Sequence, residues 1–256
     1  MRSASVGQQC VDCVGQAAAS TRPARTVFGG RPAAGAVVTW TLVAINVAVF
    51  LVTWVRPGIV TDLEMLGYRP GSPPHGVAAG EWYRLITSAF VTPGTGLNGL
   101  AFLDILFNMW ALIFVGPALE GFLGRLRFLS VYLLSAIGGG VMFYYLAPPT
   151  TAAAGASGAI YGLFGAWFVV ARRLRLDSRG IVMLIAINLA ISFIWSSAIA
   201  WQDHIGGLLT GALLTAAYAY APARHRAVLQ MLATIAVVAV LALAVAIRTG
   251  QLTPGG

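Results

Sequence analysis

The chain contains no lysine, and charged residues of all kinds make up only 9% of its 256 positions. Hydrophobic residues make up 58%, and the mean hydropathy is +0.81. So little polar surface cannot coat a soluble globule of this size, which indicates an integral membrane protein. The formal charge of +8 comes from arginines in short clusters. Such clusters are typical of topology signals, so the lipid bilayer is an expected partner and nucleic acid is not.

Cysteine is scarce as well, because Cys10 and Cys13 are the only two and both lie near the amino terminus. They cannot cross-link the rest of the fold. A structural zinc site needs about four ligands, so we interpret this lone Cys-x-x-Cys pair as a vestigial element and predict neither a metal nor a cofactor. We expect residues 1–36 to form a cytoplasmic arm in which both thiols stay reduced.

Seven apolar runs approach the roughly 20 helical residues that cross about 30 Å of hydrocarbon. The arginine clusters alternate with these runs and so fall on one side, whereas the short loops at 148–156 and 201–203 contain no arginine. The sequence therefore predicts an all-α, polytopic transmembrane helix bundle in the plasma membrane, with a cytoplasmic amino terminus and an outer carboxyl terminus. The predicted spans are 37–55, 102–119, 128–147, 157–171, 181–200, 204–221 and 227–247. The clusters are Arg22, Arg25 and Arg31; Arg125 and Arg127; Arg172, Arg173, Arg175 and Arg179; and Arg224 and Arg226.

The first outer loop, residues 56–99, is long and mixes proline and glycine with aromatic and charged residues. Its apolar content argues against plain disorder. We expect short interfacial helices there, with Trp82 and Tyr83 at the level of the lipid headgroups. The alternative is a solvated linker.

Two of the predicted spans begin with a polar motif. Gly155-Ala156-Ser157-Gly158 opens the fourth span, and Asp203-His204-Ile205-Gly206-Gly207 opens the sixth. From Ser157 to Arg172 the helix is only about 22 Å long, which places Ser157 several ångströms below the outer face, and the sixth span gives His204 a matching depth. A hydroxyl beside an imidazole is a nucleophile with its base, so the pair indicates proteolysis inside the bilayer. The alternative is that both residues only pack helices together.

Small and aromatic residues surround the two motifs. A G-x-x-x-G spacing at Gly207 and Gly211, opposite Gly162 on the fourth span, permits close approach of two helices and so contact between the serine and the histidine. Tyr161 lies one turn below Ser157, where its ring can hold the imidazole in place. By contrast, we interpret Ser192, Ser196 and Ser197 as packing or loop residues without assigned chemistry.

Asp104 and Asn108 lie four residues apart on one face of the second span. The Asn108 amide is suited to donate to a developing oxyanion, together with the backbone N–H at Ser157. The alternative is that Asn108 only bonds helices together.

These residues occur in an order that resembles the rhomboid family of intramembrane serine proteases over residues 37–221. The segments that carry the resemblance are Ile45-Asn46-Val47-Ala48-Val49-Phe50, Glu81-Trp82-Tyr83-Arg84, Leu106-Phe107-Asn108-Met109, Gly116-Pro117 with Glu120, Gly155-Ala156-Ser157-Gly158 with Tyr161, and His204 with Gly207 and Gly211.

The resemblance implies a six-helix core at 37–221 and one added helix and tail at 222–256. It implies Ser157 as nucleophile, His204 as base, support of this dyad by Gly155, Gly158 and Tyr161, and cleavage of transmembrane segments of other proteins. It assigns no oligomeric state.

One position departs from the family pattern, because Asp104 stands where the family usually has a histidine. An ionised carboxylate there would repel an oxyanion, so Asp104 is protonated, faces water or lowers the activity. The alternative function is a non-proteolytic relative that binds or chaperones transmembrane clients. A channel or transporter is a weaker alternative.

Overall fold

The computed structural model describes residues 2–4, 7–20, 25–31, 35–92 and 99–253, so Arg22 of the predicted topology signals lies outside the described residues. The chain is mostly helical, at 74%. The elements in chain order are β1 (Arg2–Ala4), β2 (Gly7–Gln9), α1 (Val11–Ser20), α2 (Val37–Val55), α3 (Gly58–Leu63), β3 (Met65–Leu66), α4 (Arg84–Thr87), α5 (Gly99–Leu123), α6 (Arg125–Leu146), β4 (Ala152–Ala153), α7 (Ser157–Leu174), α8 (Arg179–Ile194), α9 (Trp201–Tyr220) and α10 (Arg226–Leu252).

Four helices in the described part of the chain are long and apolar enough to cross a bilayer: Val37–Val55, Ala101–Leu123, Arg125–Leu146 and Ala223–Leu252. Four of the seven predicted spans therefore correspond to helices that are long and apolar enough to cross a bilayer. Helix α8 is apolar but has only 16 residues. Helices α7 and α9 have the length but fall outside this set, because glycines and polar residues at their ends lower the hydropathy. These two helices carry the predicted site.

Most of the predicted spans differ from the helices by a few residues at their ends, and two of these differences bear on the site. The fifth was expected to run to residue 200, but α8 ends at Ile194. The sixth was expected to begin at His204, but α9 begins at Trp201, so the histidine lies one turn inside the helix. The reason is that Asp203, directly before the histidine, packs against Gly139 of α6 and Gly158 of α7 and so belongs to the helix.

Helix α7 lies at the centre of the bundle, and most of its residues are buried. It packs against α6 and α9, and α5 completes the core with side chains such as Leu112 and Leu119, which are fully buried. Glycines on α6 let α9 approach closely, since a Cβ at Gly138 would overlap the side chain of Thr210.

Helix α2 is anchored to the core by Glu120 of α5, whose side chain is fully buried. The Val38 and Thr39 N–H groups donate to its carboxylate at 3.0 and 2.9 Å, and the Thr39 hydroxyl donates at 2.9 Å. These are N–H groups that the first turn of a helix leaves unpaired, so the carboxylate caps α2 from a neighbouring helix.

The described part of the first outer loop, residues 56–92, contains α3, α4 and a 3₁₀ turn at Val77–Ala79, which agrees with the expected short helices. Arg84 holds it together from a buried position, with hydrogen bonds to the Thr61 and Glu64 carbonyls and to the Glu81 carboxylate. Trp82 is exposed. The loop also pairs β3 with β4 next to the site, a contact that the sequence analysis did not predict.

The added helix α10 joins the core and the arm through Gln230. Its side-chain amide donates to the Phe28 carbonyl at 3.0 Å and to the Tyr218 carbonyl at 2.8 Å, and Arg127 donates to its oxygen at 2.7 Å. Among the described residues of the arm, the β1–β2 hairpin and α1 are further elements that the sequence did not predict.

Candidate functional site

Ser157 is the first residue of α7, and its position depends on the turn that precedes it. Gly155 has a φ of +135°, which an L side chain rarely adopts, and its N–H donates to the Ser88 carbonyl at 2.9 Å. The turn therefore brings the chain against the outer loop just before the helix begins. As the first helical residue, Ser157 carries an N–H that the helix itself leaves without an acceptor.

His204 of α9 contacts this serine directly. Its Nε2 lies 2.8 Å from Ser157 Oγ, a hydrogen-bond distance. The contact depends on the close approach of α7 and α9, since a Cβ at Gly207 would overlap the Gly158 carbonyl and one at Gly211 would overlap the Gly162 carbonyl. The structure thus brings together the two side chains that the sequence analysis paired.

Tyr161 of α7 covers one face of the imidazole. The two rings are stacked, with centroids 4.1 Å apart and an interplanar angle of 11°. The expected packing of Tyr161 on the histidine is present, and it restricts rotation of the imidazole out of the plane that faces Ser157.

Ser192 of α8 contacts the other nitrogen of the histidine, which corrects our interpretation of this serine as a packing or loop residue. Its Oγ lies 2.8 Å from His204 Nδ1 and donates to the Asn188 carbonyl at 2.7 Å. The hydroxyl of Tyr161 is also near, at 3.4 Å. Ser192 is buried, whereas Ser196 and Ser197 at the end of the same segment are exposed.

Asp104 and Asn108 of α5 face the same space. The Asn108 amide donates to Asp104 Oδ1 at 3.1 Å, and Asp104 Oδ2 is buried without a hydrogen-bond partner among the described residues. A Cβ placed on Gly155 would lie 3.6 Å from that oxygen and 3.7 Å from Ser157 Oγ, so the carboxyl group and the serine hydroxyl both border Gly155.

All these groups line one cavity of about 500 Å³. Its polar lining comes from α5, α7, α8 and α9, and its apolar lining includes Phe107 and Trp110 of α5 and Ile191 of α8. A space of this size admits a short peptide segment next to the serine. A serine O–H beside an imidazole nitrogen, with amide donors nearby, is an arrangement suited to acyl transfer.

Asp203 is a second residue of the site region to which the sequence analysis gave no role. Its carboxyl group lies against the backbone of both glycines, since a Cβ at Gly139 or Gly158 would overlap it. The acid therefore occupies the space left by two glycines and ties α9 to the start of α7. Its position in the motif directly before His204 was the only signal in the sequence.

No group of three or more histidine, cysteine or acidic side chains suited to a metal ion occurs among the residues that the structure describes. Cys10 and Cys13 are free and exposed.

Comparison with known proteins identifies the family. Residues 79–222, more than half of the chain, match the Rhomboid domain. The chain belongs to the rhomboid family. Rhomboids are serine intramembrane peptidases that act on membrane protein substrates, so the predicted enzyme class is confirmed at the level of the family. The multi-pass membrane character expected from composition is confirmed as well.

Three rhomboid relatives show how far the similarity extends. YdcA of Bacillus subtilis (strain 168) is 41% identical over 145 residues, which cover 55% of this chain and 69% of YdcA. The rhomboid protease GluP of the same organism is 34% identical over 184 residues, covering 70% of this chain but only 34% of GluP. RHOMBOID-like protein 6, mitochondrial, of Arabidopsis thaliana is 34% identical over 146 residues, 53% of this chain and 43% of that protein.

Proposed function

We propose that this rhomboid is an endopeptidase that cleaves transmembrane segments of other membrane proteins, with Ser157 as nucleophile and His204 as general base. The observation that carries the proposal is the 2.8 Å contact between Ser157 Oγ and His204 Nε2 inside the cavity. His204 accepts the hydroxyl proton as Oγ bonds to the substrate carbonyl carbon. The same proton then passes to the leaving amine as the C–N bond breaks, and water hydrolyses the acyl-enzyme.

The tetrahedral oxyanion needs hydrogen-bond donors on its side of the serine. We assign this role to the Ser157 backbone N–H at the start of α7 and to the Asn108 amide, which lines the same cavity. One hydrogen of this amide is bonded to Asp104 Oδ1, and the second is left to donate to the oxyanion. We propose that Tyr161, Gly155 and Gly158 support the dyad, the first by stacking on the imidazole and the glycines by shaping the start of α7.

The substrate segment reaches the cavity sideways, between α5 and α8. Both helices line the cavity, through Phe107 and Trp110 on one side and Leu184 and Ile191 on the other. Phe193 and Trp195 near the end of α8 are exposed, and Phe193 packs on Trp201 with ring centroids 4.9 Å apart. Because helical peptide bonds are shielded by their own hydrogen bonds, segments with glycine or proline near the outer end of their span should be preferred.

We propose that the chain crosses the bilayer seven times, with a cytoplasmic arm at 1–36, a six-helix core at 37–221 and an added helix and tail at 222–256. Contacts of arginines from separate segments support the placement of the arginine clusters together on the cytoplasmic side. Arg127 donates to Gln230, Arg173 donates to the Ala219 carbonyl, and Arg226 donates to the Val27 carbonyl, so these cationic segments lie close together.

The test is cleavage of a transmembrane substrate by purified protein in liposomes. Ser157→Ala and His204→Ala should each abolish cleavage. The matched controls are Ser196→Ala and His225→Ala, at an exposed serine and an exposed histidine, and both should cleave as wild type does. Cleavage that persists in both site variants would eliminate the assignment.

One observation favours the alternative function, a rhomboid that binds or chaperones transmembrane clients without cleaving them. Asp104 lines the same cavity as Ser157 and accepts one hydrogen of the Asn108 amide, and an ionised carboxylate there would oppose an oxyanion. A wild-type protein that captures the transmembrane substrate in liposomes but never cleaves it, with Ser157→Ala capturing it equally well, would establish that alternative.

A further inference from the structure

The hydroxyl of Ser192 has a single hydrogen and three polar neighbours. The neighbours are the Asn188 carbonyl at 2.7 Å, His204 Nδ1 at 2.8 Å and the Tyr161 hydroxyl at 3.4 Å. A carbonyl oxygen only accepts, so the shortest of these contacts uses the Ser192 hydrogen. Towards the imidazole, the Ser192 oxygen is therefore an acceptor, and His204 Nδ1 has to carry a hydrogen.

This requirement decides which nitrogen faces Ser157. A neutral imidazole has one N–H, so a hydrogen on Nδ1 leaves Nε2 with a lone pair directed at Ser157 Oγ. With the opposite tautomer, the Nδ1 lone pair would face the Ser192 oxygen. Ser192 would then have to break its 2.7 Å bond to Asn188 in order to donate. Because Ser192 is only 1% exposed, no water molecule replaces Ser192 as the hydrogen-bond partner of the Asn188 carbonyl.

We propose that Ser192 is a positioning residue that holds His204 in the tautomer able to accept the Ser157 proton. The proposal rests on the proposed function and adds a third helix to the site, because Ser157, Ser192 and His204 come from α7, α8 and α9. Ser192 contacts Nδ1 of the ring, whereas Ser157 contacts Nε2, so Ser192 acts on the reaction through the imidazole. After proton transfer the imidazolium keeps its Nδ1–H bond to Ser192, so the same contact serves both protonation states.

The kinetic test compares three variants in the liposome assay. Ser192→Ala should lower kcat about tenfold, because it leaves the Nδ1–H without an acceptor in a buried site and lets the wrong tautomer form. KM should not change, since Ser192 orients the base and does not hold the substrate. Ser192→Thr keeps a hydroxyl and should recover most of the kcat. Ser196→Ala, the matched change at an exposed serine of the same segment, should behave as wild type.

A purely structural role for Ser192 predicts another pattern. Ser192→Ala and Ser192→Thr would then reduce the yield of folded protein or the melting temperature, with kcat per folded molecule unchanged. Unchanged kcat in folded Ser192→Ala would overturn the inference while leaving the assignment of Ser157 and His204 intact.

Nitrogen-15 NMR of histidine-labelled protein tests the tautomer without relying on cleavage. The chain has three histidines, His75, His204 and His225, so the His204 signals are identified by their loss in His204→Ala. In wild type at a pH where the ring is neutral, Nδ1 should be protonated and Nε2 not, and Ser192→Ala should lose this preference. A wild-type ring protonated on Nε2 would overturn the proposal even if the enzyme proved active. A ring protonated on Nδ1 would support it even if no substrate were cleaved.

Discussion

The side-chain amide of Asn108 donates a hydrogen bond to Asp104 Oδ1 across one turn of α5, at 3.1 Å. This bond uses one of the two hydrogens of the amide that we propose as an oxyanion donor. The other carboxyl oxygen, Oδ2, is buried without a partner among the described residues, and Asp104 lines the same cavity as Ser157. When ionised, Asp104 repels the negative charge that the amide is meant to stabilise.

Asp104→His is therefore expected to be tolerated or activating. It removes a carboxylate whose charge opposes the oxyanion and adds a side chain that can donate a hydrogen bond. The measurement is kcat/KM for a transmembrane substrate in liposomes. Asp104→Asn, a neutral side chain of the same shape, is the matched control and should also retain activity. A complete loss of proteolysis in Asp104→His would show that the carboxyl group has a positive role.

Asn108→Ala should lower kcat by about 10²-fold, the usual cost of removing one oxyanion donor, with a small change in KM. The variant should still fold, because the amide bonds only within its own helix among the contacts described here. Thermal unfolding in detergent provides that control. If kcat stays at the wild-type value, the oxyanion is stabilised by other donors.

Gly207→Ala should separate α7 from α9, because the added Cβ overlaps the Gly158 carbonyl. We expect a loss of about 1–3 kcal/mol in the free energy of unfolding, together with loss of cleavage as Ser157 and His204 move apart. The matched control is Gly180→Ala on α8, where an added Cβ meets nothing within 4 Å. Equal stability of the two variants would contradict the tight packing described for these helices.

Glu81 in the outer loop should make stability depend on pH. Partial burial alone would raise its pKa, but hydrogen bonds from the Arg84 guanidinium, the Gly76 N–H and the His75 ring outweigh this and lower the pKa to about 2. Because folding lowers the pKa, the stabilisation is complete above the unfolded-chain value of about 4.3 and is lost as the pH falls towards about 2.

Glu81→Gln should therefore unfold more easily than wild type at pH 7, by about 1 kcal/mol, and the difference should shrink at acidic pH. Denaturant unfolding followed between pH 7 and pH 3 measures it. A difference that does not change over this range would mean that the ion pair with Arg84 contributes nothing to the loop.

The pairing of Ser157 with His204 could be predicted because each residue lies in a short motif at the start of a predicted span and is followed by glycines at helix-packing spacing. The link between Asp104 and Asn108 follows from their spacing of four residues on a helix. Ser192 could not be found in this way. It lies on α8, and the non-helical turn between Ile194 and Trp201 sets which face of that helix meets the histidine.

Other differences have equally local causes. The β3–β4 pair has two residues in each strand, too few for an alternating pattern to appear in the sequence. The start of α9 was placed one turn late because Asp203 was taken as a loop residue, whereas its carboxylate lies against the start of α7. The hydropathy of α7 and α9 is lowered by the same glycines and polar residues that build the site, so span prediction is weakest where the function lies.

Covalent trapping with a fluorophosphonate, followed by mass spectrometry of the modified peptide, shows directly whether Ser157 is the nucleophile and His204 its base. We expect a single adduct on Ser157 in wild-type protein in liposomes, and its loss in His204→Ala, because without the base the hydroxyl is not activated. An adduct on another serine, or labelling of Ser157 at the wild-type rate in His204→Ala, would contradict this assignment.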